Sequence, residues 1–373
     1  MTPICALGLM SGTSMDGIDL AVLRSDGEGQ VERGPSHFVS YDAGFRRRIT
    51  AALEDAKAIR DRNERPGDLR PLERELTVRH VEAAREFLGR LAEGPWVPEL
   101  IGFHGQTVLH RPEIGLTVQL GDGPLLARET GLRTVYDMRA ADMREGGQGA
   151  PLVPAYHAAL ATSVPEALRD LWPKAFVNIG GISNVTYVPS QGDPVAFDCG
   201  PGNALIDQWV ERHAGVPFDQ GGAIAAEGGI DSDVVEAYLS SDFFGKPAPK
   251  SLDRADFTLD RADGLELADG ARTLAAVSAG AILESRLQMP VPPRLWIICG
   301  GGRKNPHIMA DLAEGAGEAM VVPAEEAGLD GDAMEAEAWA YLAIRAAGNL
   351  PLTFPTTTGC RRPVSGGVIV APS

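Results

Sequence analysis

No window of this 373-residue sequence approaches the roughly 20 apolar residues of a membrane-spanning helix. No positively charged stretch precedes the short apolar run at the N-terminus, so no secretory leader is expected. Cysteine is scarce. Cys5, Cys199, Cys299 and Cys360 stand far apart, with neither zinc-ligand spacing nor a disulfide framework, as expected for a reducing cytoplasm. Positive charge is in deficit, with 34 Lys and Arg against 51 Asp and Glu and a formal net charge of −17. That argues against nucleic acid or anionic membranes as partners, since both demand a basic surface. A nucleotide stays open, because a few local donors offset its phosphates.

Low-complexity tracts are absent, and 44% apolar with 23% charged residues is a globular composition. The length exceeds one ordinary core, so two domains are expected. The arginine-rich segment Arg60 to Arg90 is interleaved with Asp61, Glu64, Asp68, Glu73, Glu75, Glu82 and Glu86, and reads as a solvated helical face. Also missing are the Walker pattern and the protein-kinase glycine loop, which sets those two kinase classes aside.

What is present is a series of glycine turns. Ile4–Met10 reads as a strand, Ser11 to Gly17 as a tight turn, and Ile18–Arg24 as a second strand, with a third at His37–Tyr41. Such a turn can aim several N–H groups and hydroxyls at one anion. A helix follows with Leu72, Leu76, His80, Ala83, Phe87 and Leu91 at helical spacing, then strands at Leu100–Phe103 and Leu132–Tyr136. The order restarts near Ala175. Phe176–Ile179, the turn Gly180, Gly181, Ile182, Ser183, Asn184, and Val185–Val188 repeat the hairpin, and Val195–Phe197 supplies a third strand.

Later the apolar strand Leu295–Ile298 runs into Gly300, Gly301 and Gly302, bare backbone against which a flat ligand could lie. Two hairpins facing each other across a cleft could hold a triphosphate. The alternative is chance recurrence of a common turn. Among the acids, Asp198 ends an apolar strand before a tight turn and a helix N-terminus. It is a candidate general base or metal-positioning group, with a turn cap as the alternative. Asp16 and Asp19 are similar candidates.

The strings GLMSGTSMDGID (8–19), GFHGQTVLHRP (102–112), GGQGAPLVPAYH (146–157), NIGGISNVT (178–186), FDCGPGN (197–203) and CGGGRKNP (299–306) resemble the anhydro-N-acetylmuramic acid kinases of the sugar kinase, Hsp70 and actin superfamily. The resemblance spans nearly the whole chain. It implies an α/β fold of two RNase H-like (actin/hexokinase-type) domains with an interdomain cleft, binding ATP with Mg²⁺. It also implies hydrolytic opening of 1,6-anhydro-N-acetylmuramic acid with phosphorylation of O6, a cytoplasmic step of peptidoglycan recycling, and a homodimer. The base role of the family pattern falls on Asp198. Its ATP-phosphate segment falls on Gly12, Thr13, Ser14, Met15, Asp16, Gly17, Ile18 and Asp19.

Gly180, Gly181, Ser183 and Gly300 to Gly302 complete the expected nucleotide contacts, and His104, Gln106, Arg139 and Glu335 the expected sugar contacts. For His104 the alternative is a satisfied structural histidine. The aspartate with which the superfamily often opens its first hairpin is missing at Leu9 to Ser11, which leaves the metal ligands unassigned. The expected domains are 1–135, with a tail from about 350 to 373 returning to it, and 136–349, joined by the loop at Gly146 to Pro151. Two rival functions are a hexose kinase of the same fold and an actin- or Hsp70-like ATPase.

Overall fold

Apolar runs broken by small residues fold as strands, and the computed structural model, which describes residues 2–12, 14–252 and 256–372, gives their pairing. Thr13, assigned above to the phosphate segment, lies outside the described residues. The chain divides into two units, Met1–Ser163 with Ala333–Ser373, and Val164–Asp332.

The first unit opens with β1 (Ile4–Ser11), β2 (Gly17–Ser25) and β3 (Val31–Ser40), an antiparallel meander. β4 (Leu100–Arg111) lies parallel to β1, β5 (Leu116–Leu120) folds back on β4, and β6 (Arg133–Tyr136) is parallel to β4. β1 is buried along nearly its whole length, as a central strand covered on both faces requires. The helix Leu69–Leu91 covers one face with Leu72, Leu76, His80, Ala83, Phe87 and Leu91, all buried at the spacing the sequence predicts.

The second unit repeats this plan with β7 (Lys174–Ile179), β8 (Ile182–Val188), β9 (Val195–Pro201), β10 (Leu295–Cys299) and β11 (Met320–Pro323). Its sheet order is β11-β10-β7-β8-β9. The first sheet runs β6-β4-β1-β2-β3 in its corresponding part, and β12 (Val368–Val370) adds to the β6 edge in antiparallel register. Both sheets therefore have the RNase H-like order: three antiparallel strands, then two parallel strands beside the first. Among the described residues, no helix is long and apolar enough to cross a membrane.

The unit boundaries differ from those expected. Residues 136–163 and the helix Met334–Ala347 pack in the first unit, so the chain passes between units at 163/164 and 332/333 rather than at Gly146 to Pro151. The physical reason lies in two glycines. A Cβ on Gly8 of β1 would stand 1.8 Å from the Ala336 carbonyl oxygen, and one on Gly102 of β4 would stand 2.0 Å from that of Trp339. Bare backbone at these two points lets the helix press directly on the first sheet.

Candidate active site

An irregularity between β1 and β4 builds the first unit's group of candidate residues. From Leu9 to Ser11 β1 advances two residues while β4 advances three, from Phe103 to Gln106. Gly105 absorbs the extra residue at φ 71°, where a Cβ would also meet the Leu120 carbonyl oxygen at 2.3 Å. Gln106 is thereby set opposite Ser11. Ser11 Oγ donates to Gln106 Oε1 at 2.7 Å, and Gln106 Nε2 donates to the Gly12 carbonyl at 3.1 Å. With the Ser11 proton committed, Tyr41 OH donates to Ser11 Oγ at 3.0 Å. Both ends of the Gln106 amide are spent on the turn, so this side chain braces the phosphate-type hairpin where a sugar contact was expected.

Within the hairpin, Ser14 Oγ donates to Asp16 Oδ1 at 2.6 Å, and both residues are exposed. Met15 adopts φ 53° and its N–H donates to the Gly12 carbonyl at 3.2 Å. Ile18 is fully buried in the core, so its side chain contributes packing rather than ligand contact. Asp19 is half-buried on β2.

His104 lies at the same irregularity, almost completely buried. Its Nδ1 faces the Ser11 carbonyl at 3.1 Å and must donate there, which leaves Nε2 as the acceptor for Arg139 NH2 at 3.2 Å. Burial first, and the Arg139 charge second, hold its pKa well below the ordinary range, so the ring is neutral. The Trp339 ring stands 4.6 Å from the imidazole, centroid to centroid, and the Arg139 guanidinium lies 5.4 Å above the same indole.

Arg139 NH1 donates to the Gly149 carbonyl at 2.9 Å, and its buried Nε has no partner among the described residues. Burial lowers this guanidinium to about 10, still cationic at neutral pH. Buried Asp142 anchors the same loop, accepting from Gly149 N at 2.7 Å and from Thr353 and Thr358 hydroxyls at 2.5 and 2.6 Å. Glu335, one turn before Trp339, is exposed; the protein mass around it raises its pKa and Arg139 pulls it back. His104, Arg139 and Glu335, three of the expected sugar contacts, thus share one polar cluster. Trp339 and Asp142 were missed, although the four-residue spacing of Glu335 and Trp339 on one helix would have marked a common face.

In the second unit, the β7–β8 turn docks on the helix Ala204–Ala214. Asn203 N donates to the Gly180 carbonyl at 2.7 Å, Gly202 N to that of Gly181 at 2.9 Å, and Asn203 Nδ2 to that of Ile179 at 3.1 Å. Ser183 Oγ is buried without a partner among the described residues. Arg303, a residue the sequence analysis did not single out, clamps the glycine loop. Its NH1 reaches the Gly300 carbonyl at 2.8 Å, while Glu325 and Asp332 hold its other nitrogens.

The expected nucleotide glycines fall into two groups. Gly17, Gly300 and Gly302 are glycine for packing: added Cβ atoms would stand 2.4 Å from the Val39 carbonyl oxygen, 2.5 Å from Asn178 Oδ1 and 2.2 Å from Ile179 Cγ2. Gly300 also adopts φ 73°. Gly12, Gly180, Gly181 and Gly301 would accept a Cβ with no protein atom nearer than 3.5 Å. Among the described residues, no neighbouring atom requires glycine at these four positions.

Asp198 projects from β9, half-buried. Its Oδ2 accepts from Leu252 N at 2.8 Å, and no other hydrogen bond reaches the carboxylate among the described residues. Burial raises it from 3.8 to about 6, with the Leu252 bond opposing. It is therefore ionised but basic at neutral pH, the state a proton acceptor needs. Among the described residues no three His, Cys, Asp or Glu side chains gather where they could hold a metal ion.

A sequence model of the anhydro-N-acetylmuramic acid kinase family matches residues 5–372. An anhydro-N-acetylmuramic acid kinase of Brucella canis is 58% identical over 370 residues, covering 98% of each chain. One of Agrobacterium fabrum is 56% identical over 367 residues, again covering 98% of each. Among solved structures, (R)-2-hydroxyglutaryl-CoA dehydratase component A of Acidaminococcus fermentans aligns at 13% identity and a TM-score of 0.48, covering 92% of this chain and 99% of that one.

Proposed function

The chain belongs to the anhydro-N-acetylmuramic acid kinase family, and from that membership we propose that it uses ATP to phosphorylate O6 of 1,6-anhydro-N-acetylmuramic acid while water opens the anhydro ring. The products are N-acetylmuramic acid 6-phosphate and ADP, which makes this a reaction of peptidoglycan recycling. The observation that carries the reading is Asp198, a half-buried carboxylate raised to about 6, with one oxygen tied to Leu252 and the other without a hydrogen bond among the described residues.

Asp198 takes a proton from water as the water oxygen bonds to C1 and the C1–O6 bond breaks, the role of the base in an inverting glycosidase. O6 takes the γ-phosphoryl group as that group's bond to the ADP oxygen breaks. No acid is needed for the leaving oxygen, because it departs onto phosphorus. The bare backbone at Gly12, Gly180, Gly181 and Gly301 supports a nucleotide whose phosphates are positioned by N–H donors. Cationic Arg139 and the Glu335 carboxylate supply the sugar side with groups of both signs, and neutral His104, its two nitrogens spent on Ser11 and Arg139, holds Arg139 in place.

Mg²⁺ enters this reading only with ATP. Among the described residues no three His, Cys, Asp or Glu side chains gather into a metal centre. A homodimer working in the cytoplasm belongs to the same proposal. Mass spectrometry of the product made from ATP, the anhydro sugar and oxygen-18-labelled water tests it. The expected product carries one phosphoryl group and one label at the anomeric carbon. A phosphorylated sugar without label would indicate hexose-type transfer, and ADP without sugar phosphate an ATPase; either result overturns the proposal.

A further inference from the structure

Two recesses open in the first unit, the larger of them bordering the His104 cluster. The larger, about 510 Å³, has Arg62, Arg65, Gln119, Asp137 and Arg144 in its wall, with His104. The smaller, about 320 Å³, has Arg60, Asp61, Arg62 and Arg144. Arg62 and Arg144 therefore line both. Volumes of this order accommodate small molecules.

The arginine run expected to be a solvated helical face is, from Arg60 to Arg65, an irregular segment between the helices Ala43–Ala56 and Leu69–Leu91. Its guanidinium groups are held in place. Arg65 makes a two-pronged pair with Glu73 at 3.0 and 2.8 Å. Arg62 NH2 meets Asp137 Oδ1 at 2.5 Å, and Asp137 sits at φ 55°, a conformation non-glycine residues adopt only where their surroundings enforce it. Arg144 is different. Its Nε reaches the Ala140 carbonyl at 3.3 Å, and no carboxylate among the described residues pairs with it. In a chain with 51 acidic side chains, an unpaired guanidinium beside two ordered ones is a local reversal of the overall charge. A guanidinium presents two parallel N–H donors that match carboxylate and phosphate oxygens.

We propose that Arg62 and Arg144 form a binding site for an oxyanion, the carboxylate or phosphate group of a small molecule, on the wall the two recesses share. The site touches the reaction through His104, which lines the larger recess and accepts from Arg139. The oxyanion comes from one of two sources: an acid carried by the sugar itself, or a free anion. Only the choice between them rests on the kinase reading.

Calorimetric titration of the full chain with inorganic phosphate, without sugar or nucleotide, tests the site. Wild type is expected to bind saturably. Arg144→Gln weakens binding by about tenfold or more, the loss of one charge-assisted contact. Arg62→Gln with Arg144→Gln abolishes it, and Arg128→Gln on the exposed end of the helix Gly123–Thr130 leaves it unchanged. Arg144 is exposed, so its variant keeps the fold, which the unfolding temperature verifies. Absence of saturable binding in wild type, or equal binding in wild type and Arg144→Gln, overturns the proposal. Kinase assays then assign the source. A higher KM for the sugar at unchanged kcat, with phosphate competing, identifies an acid on the sugar. An unchanged KM, with phosphate altering the rate without competition, identifies a free anion. Because the titration contains no substrate, its failure leaves the kinase reading standing, and the reverse holds.

Discussion

The Leu252 N–H donates to Oδ2 of Asp198 at 2.8 Å, and the Asp198 N–H donates in return to the Lys250 carbonyl at 3.0 Å. Lys250 is itself anchored by Nζ to the carbonyls of Phe243 and Phe244 at 3.0 and 3.2 Å. The carboxylate is thus oriented by backbone, with no cation paired to it among the described residues. Burial then works unopposed except by that one N–H, and the basicity rises.

Asp198→Asn removes the proton acceptor at nearly constant shape. Turnover is expected to fall by at least about 10²-fold, the usual weight of a general base, while ATP binding measured calorimetrically stays within about twofold. Near-normal turnover would exclude Asp198 from the base role.

The raised basicity sets two pH dependences. Activity requires the ionised carboxylate, so kcat rises with pH through about 6 and then levels. Stability runs the other way. The folded state holds the proton up to about pH 6 and the unfolded chain only to about 3.8, so the folded state loses stability as pH climbs between them. At neutral pH this cost is at most about 3 kcal/mol, which Asp198→Asn recovers. Denaturation of both proteins at pH 7.5 and at pH 3.5 should show the gain only at the higher pH.

The two kinds of glycine separate fold from ligand. Gly302→Ala forces a Cβ against Ile179 and is expected to cost about 1–3 kcal/mol in denaturant unfolding. Gly301→Ala has room in the protein, so its stability should match wild type while the KM for ATP rises about tenfold or more, since a methyl group intrudes where the nucleotide lies. A normal KM for Gly301→Ala would remove that glycine from the nucleotide site.

Gly102→Ala drives a Cβ to 2.0 Å from the Trp339 carbonyl and must displace the helix Met334–Ala347. The expected loss exceeds about 3 kcal/mol, seen as a lower urea midpoint or as insoluble protein.

Arg139→Lys keeps the charge but cannot span Gly149 O and His104 Nε2 together, because an ammonium lacks the fork geometry. The KM for the sugar should rise about tenfold with that for ATP unchanged, read from initial rates varied in each substrate. Equal changes in both would place Arg139 outside the sugar side.

Much of the fold was legible because it is periodic. The repeated strand–turn–strand in both halves, and the buried stripe Leu72, Leu76, His80, Ala83, Phe87, Leu91, are local patterns that burial must satisfy. Asp198 was visible as a carboxylate following an apolar run, although β9 continues through it to Pro201. The domain boundary was not. The helix Met334–Ala347 follows the second unit in sequence yet packs on the first, and its seat is two glycines, Gly8 and Gly102, more than 90 residues apart. No local window contains that contact.

The sequence by itself determined the chemistry on offer: small and hydroxyl residues in the turns, one acid after an apolar run, and a net charge of −17. Tertiary structure alone decided what each group does. Gln106 turned inward because one extra residue in β4 brought it opposite Ser11. His104 became neutral because burial and Arg139 leave no room for a second proton. Arg60, Arg62 and Arg65 stand in the walls of two recesses and not on a helical face. Protonation, orientation and accessibility depend on neighbours distant in the chain, and only the packed fold brings those neighbours together.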